Sequence, residues 1–258
     1  MTSSPGKPIW IDLGVPDIEA AKRFYSAVFG WTYSDGGEEF GHYHQVFVGG
    51  ALVGGMMQHP DATQNQPVFW NVYFETSDTQ ATLAQVTQHG GQVLVPAMGV
   101  GDQGTMAIAG APSGAQFGLW QPGTLAGFEP GTHGTAVWFD TPSLNFAADV
   151  AFYQSVLGWD IRCADDDPSS GFATVGPYES ATIGLFHGTD MVGPDGRSTW
   201  RVFFAVDDMD AAVAAIEAGG GQVTDGPEDV SEGTQRQLCA TAVDPDGAVF
   251  LLLQTVTR

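Results

Sequence analysis

Lys7 to Asp17 reads KPIWIDLGVPD, and Gly134 to Ser143 reads GTAVWFDTPS. Both have the alternating, β-rich look of a strand, and both put a tryptophan and an aspartate two residues apart: Trp10 with Asp12, Trp138 with Asp140. Side chains two apart on a strand share a face. The interval between the two stretches is 128 residues, and without a gap it also lays Phe24-Tyr25 on Phe152-Tyr153 and Gly30-Trp31 on Gly158-Trp159. A second block, FWNVYFETSD from Phe69 to Asp78, returns as TWRVFFAVDD from Thr199 to Asp208, an interval of 130. A third, PSGAQFGLWQ from Pro112, returns as PDGAVFLLLQ from Pro245, an interval of 133. The slow growth of the interval is what short loop insertions produce, so the chain is a tandem duplication.

The expected divisions are residues 1–123, a Gly/Pro-rich linker over 124–134, and residues 135–258. Each half divides again. In the first, the strand IWIDLGV is followed by Asp17, a helix-capping residue, then by IEAAKRFYSAVF until Gly30 stops the helix. Shorter β-like runs follow, WTYSD, YHQVFV and ALVGGMM. The second block repeats the order, with the helix TQATLAQVTQH ending at Gly90-Gly91. The expectation is four βαβββ units, an α+β protein.

Composition bounds the partners. The 258 residues carry 8 Lys+Arg against 30 Asp+Glu, a net charge of −22. That field repels phosphate backbones and anionic lipid, so neither nucleic acid nor membrane is an expected partner. Two cysteines, Cys163 and Cys239, form no CxxC and suit a reducing compartment. MTSSPGKP lacks the apolar core of a signal peptide, and no apolar run reaches the ~18 residues of a membrane helix. A cytoplasmic location is expected.

Four βαβββ units, VPD after a first strand, FY and GW bracketing the end of a helix, DD followed by GGxV, and a terminal DPDG hairpin resemble the vicinal oxygen chelate superfamily: the glyoxalases, bleomycin resistance proteins and extradiol dioxygenases. The likeness runs from about Pro8 to Gln254, nearest to two-domain actinobacterial glyoxalase-like members. It implies two glyoxalase-like domains whose mixed sheets curl into cupped half-barrels. In the enzymes of that superfamily the cup holds a divalent metal between two histidines and a glutamate. Carried over position by position, the first histidine falls on Trp10 and on Trp138, the second on Asn71 and on Arg201, and the glutamate on Gly118 and on Leu251. The last strands of the other two units offer Gly54 or Gly55, and Gly184. Indole, guanidinium and glycine do not replace such ligands, so neither metal nor other cofactor is expected.

Residues two along from those positions share the cup face, adding Asp12, Tyr73, Trp120, Asp140 and Phe203 to the ligand-binding candidates. Aromatic walls with a few oriented polar groups are the usual make-up of small-molecule pockets, and Gly118 leaves room for a flat ligand against backbone. Arg201 either pairs with Asp140 or holds an acidic ligand group. Three readings follow. In the first the chain binds a mostly aromatic, polyketide-like natural product without metal, for antibiotic resistance or sequestration or to assist a biosynthetic tailoring enzyme. In the second it is a metal-independent isomerase, cyclase or hydroxylase with Asp12 or Asp140 as base and Arg201 as oxyanion stabiliser. In the third the cups are vestigial and the partner is a protein. His42 and His44 could hold a metal only with a third donor such as His59, and read better as a solvated face. The acidic loop ADDDPSS reads as a turn, and no GxSxG, P-loop or dinucleotide fingerprint occurs.

Overall fold

A computed structural model describes residues 5–59, 67–128, 131–167, 169–188, 197–231 and 235–256. Glu129 and Pro130 of the expected linker, and Pro168 of the acidic loop, lie outside these. The first module consists of β1 (Pro8–Val15), α1 (Ile18–Phe29), β2 (Thr32–Asp35), β3 (His44–Val48) and β4 (Ala51–Gln58). The second has β5 (Trp70–Glu75), α2 (Thr79–Gln88), β6 (Gln92–Val100), β7 (Gly104–Gly110) and β8 (Gln116–Pro122). The third has β9 (Ala136–Ser143), α3 (Phe146–Leu157), β10 (Ile161–Cys163), β11 (Phe172–Val175) and β12 (Ile183–His187). The fourth has β13 (Arg201–Ala205), α4 (Met209–Ala218), β14 (Gln222–Asp229), β15 (Arg236–Val243) and β16 (Val249–Val256). Every module is therefore βαβββ, and the protein is α+β.

The strands form two mixed, open sheets of eight, ordered β2-β3-β4-β1-β5-β8-β7-β6 and β10-β11-β12-β9-β13-β16-β15-β14. In each module the first and last strands run parallel, in the registers Asp12 to Gly55, Tyr73 to Gly118, Asp140 to Gly184 and Phe203 to Leu251. A helix between parallel strands is the crossover such pairing requires.

The helices begin and end where capping chemistry says they should. Asp17 accepts the amides of Glu19 and Ala20 at 3.0 Å each, and Gly30 ends α1 at φ 69°. Asp78, Asn145 and Asp208 cap the other three, and Gly158 ends α3 at φ 68°.

By packing, the chain falls into two compact units. One comprises Met1–Trp10, Asn71–Gly127 and Trp138–Trp200; the other comprises Ile11–Trp70, Phe128–Val137 and Arg201–Arg258. Each unit thus draws one module from each half of the sequence: the second and third in one, with α2 against α3, and the first and fourth in the other, with α1 against α4.

The repeated FY and GW motifs build the cores of these units. In the unit of the second and third modules, Tyr153 stacks on Trp159 with centroids 5.1 Å apart and meets Trp200 edge-on at 5.6 Å; Phe74 meets Trp159 and Trp200. In the other, Tyr25 stacks on Trp31 at 5.2 Å and meets Trp70 edge-on at 5.5 Å, while Phe204 packs on Phe29 and Trp31. Such geometries add ~0.5–1.5 kcal/mol per pair beyond the burial itself.

The indole N–H groups reach past the core. Trp31 donates to the Gly134 carbonyl at 2.8 Å, and Trp159 to the Gly6 carbonyl at 2.7 Å. Gly6 and Gly134 precede the first strands of the two halves and are themselves 128 residues apart. Both have left-handed backbones, φ 84° and 75°, and a Cβ would lie 2.4 Å and 3.1 Å from the respective indole nitrogen. Only glycine lets the indole approach this closely without strain.

The two units place their buried carboxylates differently. Asp244, in the DPDG turn, accepts from the amides of Asp246 and Ala248 and from the Tyr25 hydroxyl at 2.9 Å. In the other unit the carboxylate sits on the helix, as Asp149. Ser143 Oγ donates to its Oδ2 at 2.5 Å, while Oδ1 is buried without a hydrogen-bond partner. Burial pushes both carboxyls above the ordinary range.

Candidate functional site

Alternation along the strands sends one set of side chains to the aromatic cores and the other to the opposite sheet face, where the candidate site residues stand. On β5 and β8, Phe74 and Phe117 face the core, so Asn71, Tyr73, Gly118 and Trp120 lie on the other face. On β13 and β16, Phe204 and Phe250 face the core, which puts Arg201, Phe203 and Leu251 opposite.

In the unit of the second and third modules, the Asn71 amide oxygen accepts from Gln116 Nε2 at 3.0 Å. Beside it Tyr73 lies over Gly118: a Cβ there would fall 2.1 Å from the ring. The space left by Gly118 is therefore taken by a tyrosine ring, and the flat surface at this point is aromatic rather than bare backbone. Trp120 fixes its indole by donating to the Leu125 carbonyl at 3.1 Å. Across β7, Ile108 stands opposite Gly118 and Met106 opposite Trp120, which extends the apolar wall. Trp10 belongs to this unit and is buried. On β9 and β12, Asp140 is opposite Gly184, and the Trp138 indole lies 2.8 Å from where a Gly184 Cβ would be. Asp140 is only 7% exposed.

In the other unit, Asp12 is also only 7% exposed, and its Oδ2 accepts from the Tyr43 hydroxyl at 3.2 Å. The Tyr43 phenol lies over Gly55, where a Cβ would fall 1.8 Å from the hydroxyl oxygen. Arg201 places its guanidinium 5.7 Å from the centroid of the Phe203 ring, within cation–π range. Three of the four last-strand positions are thus glycine, each covered by a ring: Tyr43 on Gly55, Tyr73 on Gly118, Trp138 on Gly184. The fourth is Leu251.

Tyr43 is the site residue that sequence reasoning passed over. In GHYHQVFV, Tyr43 is two residues from Gln45, whose strand partner is Gly55. That spacing was the available signal. The histidines themselves are placed apart. His42 precedes β3 in a turn at φ 58° and bonds Asp35 at 2.9 Å, whereas His44 is buried within β3. The His59 ring covers Gly14, and His133 Nδ1 accepts from the Asp207 amide.

The divalent ion implied by the family resemblance needs imidazole and carboxylate donors that converge. Among the described residues, no three His, Cys, Asp or Glu side chains converge as metal ligands. The side chains at the carried-over positions are indoles, an amide already held by Gln116, a guanidinium on a ring, glycines and a leucine. They do not fit the ion.

Comparison with known proteins agrees with the module pattern. A family model for the glyoxalase/bleomycin resistance protein/dioxygenase superfamily matches residues 7–119, and one for a glyoxalase-like domain matches residues 136–253. The anthracycline biosynthesis protein DnrV of Streptomyces peucetius is 33% identical over 97% of this chain and 94% of its own length. CFP32 of Mycobacterium tuberculosis, whose name marks it as a candidate glyoxylase, is 32% identical over 96% of this chain and 95% of its own. Among solved structures, an Mn(II)-bound glyoxalase from Novosphingobium aromaticivorans superposes with a TM-score of 0.65 at 17% identity, covering 98% of this chain and 83% of that one. At that identity the likeness concerns the fold alone.

Proposed function

Because the chain belongs to the glyoxalase/bleomycin resistance protein/dioxygenase superfamily yet carries indoles, an amide, a guanidinium, glycines and a leucine at the positions to which the resemblance carries metal ligands, we propose that it binds a flat aromatic natural product without a metal. The observation that carries this reading is the wall in one unit: Tyr73 laid over Gly118, with Trp120, Ile108 and Met106 beside it. Tyr73, Trp120 and Ile108 are themselves buried, so the wall offers stacking and dispersion to a planar ligand that displaces what covers them, and the Asn71–Gln116 amides supply orienting polar groups.

The chain's likeness to DnrV supports an aromatic polyketide as the ligand class. The protein would then act in the cytoplasm, holding the product for self-resistance or presenting it to a tailoring enzyme. The charge of −22 suits a neutral or amine-bearing ligand over an anionic one. A second reading, a metal-independent isomerase, cyclase or hydroxylase with Asp12 or Asp140 as base and Arg201 as oxyanion stabiliser, draws on one observation. Asp12 is a buried carboxylate bonded to a phenol, a pairing able to hold or pass a proton.

Titrating tryptophan fluorescence with a tetracyclic anthraquinone tests the binding reading. Saturable quenching in the micromolar range is expected, and Trp120→Ala weakens it about tenfold, the equivalent of ~1.4 kcal/mol. Absence of quenching in the unaltered protein would count against any aromatic ligand. Turnover that survives chelation and is lost in Asp12→Asn would favour the enzyme reading.

A further inference from the structure

Tyr43 differs from the other two rings that cover glycines. Tyr73 and Trp138 are carried by β5 and β9 themselves, whereas Tyr43 comes from the loop leading into β3. That loop contains Gly37 at φ 79°, Gly41 at φ 61° and His42 at φ 58°. The backbone of Tyr43 is pinned at both polar atoms, with its N–H donating to the Phe40 carbonyl at 3.1 Å and its carbonyl accepting from Gly36 at 2.9 Å. Rotation of the side chain is therefore the simple way for the ring to leave.

The ring's seat is specific. The hydroxyl oxygen, Cζ and Cε1 would lie 1.8, 2.2 and 2.5 Å from a Gly55 Cβ, so the phenol end rests on bare backbone that no other residue would expose. Its hydrogen bond to Asp12, 3.2 Å, is long for an O–H···O contact and far from the ~2.5–2.7 Å of a strong hydroxyl–carboxylate bond. A phenol thus rests in a place shaped for a phenol.

We propose that Tyr43 is a built-in occupant of the ligand's own seat: a phenolic ring of the ligand displaces it, lies on Gly55 and donates its hydroxyl to Asp12. This deepens the binding reading and rests on it. It makes the ligand a hydroxylated aromatic with an ungated phenol at one edge, and makes Asp12 and Tyr43 the residues that set its specificity.

The test compares 2-hydroxyanthraquinone with 2-methoxyanthraquinone, which lacks the donor, on the full chain by fluorescence titration or calorimetry. The unaltered protein prefers the hydroxyl compound about tenfold, and Asp12→Asn abolishes that preference. Tyr43→Ala removes the competitor and tightens binding of the hydroxyl compound about tenfold, with little effect on the methoxy compound. Tyr43→Phe keeps the ring and loses only its hydroxyl, and it tightens binding about threefold, which decides the matter if the alanine variant does not fold. Binding that is weakened or unchanged in both Tyr43 variants overturns the proposal, even if the unaltered protein binds both compounds and the broader reading stands. If the unaltered protein binds neither, the broader reading falls. Gain of hydroxyl-selective binding in Tyr43→Ala would then still support the seat, and binding in no variant would overturn it.

Discussion

Replacing Tyr25 by alanine is expected to cost roughly 4 kcal/mol or more, a large part of the ~5–15 kcal/mol that a folded domain has in hand. The residue is fully buried, stacks on Trp31, meets Trp70 edge-on, and donates its hydroxyl to Asp244. Truncation removes the ring and leaves a buried carboxylate oxygen without that donor, a further ~1–3 kcal/mol. Tyr25→Phe isolates the second loss. Its counterpart Tyr153→Phe should cost less, because the Tyr153 hydroxyl serves as acceptor for the neutral Trp200 indole at 3.2 Å rather than as donor to a carboxylate at 2.9 Å. Denaturant melts of the three variants measure this, and a Tyr25→Ala loss under ~1.5 kcal/mol would contradict the account of the core.

Asp149→Asn should have the opposite sign. Burial raises the Asp149 carboxyl above its ordinary value, outweighing the opposing effect of the Ser143 and Ser113 hydroxyls. A carboxyl raised in the folded state favours folding most below its unfolded value, and that contribution disappears as pH climbs through the raised folded value. At neutral pH the ionised form is a cost that asparagine does not carry, so the variant should be more stable there by ~1–3 kcal/mol. The gain should shrink as the pH is lowered into the carboxylate range. Asp225→Asn, at an exposed position, controls for the simple loss of one negative charge. Melting temperatures that move alike in the two variants across pH would remove Asp149 from the account.

Much of the module pattern was legible from repeats alone. The 128-residue interval, Asp17 as a cap, Gly30 as a stop and the DPDG hairpin all describe local structure that short stretches dictate. Which modules pack together was not legible. The pairing of α1 with α4 and α2 with α3 depends on rings distant in sequence, such as Tyr25 with Phe250 and Phe117 with Tyr153, which no single helix's pattern specifies. At the candidate site, alternation placed Tyr73, Gly118 and Trp120 on one face. It could not say that Tyr73 would fold down onto Gly118, because that depends on a side-chain rotamer. The family position falls on Gly54 or Gly55 by sequence; the register selects Gly55, and the ring that fills its space arrives from a loop whose conformation the strand pattern does not fix.

A protein that holds an aromatic ligand without a metal, as proposed, binds that ligand after every divalent ion has been stripped away. Calorimetric titration of chelator-treated protein with a hydroxylated anthraquinone, followed by mass analysis of the recovered ligand, tests it most directly. The account predicts micromolar binding that is the same with and without added Mn²⁺, Fe²⁺ or Zn²⁺, with the ligand returned unaltered. Binding that appears only after one of these ions is restored would contradict it.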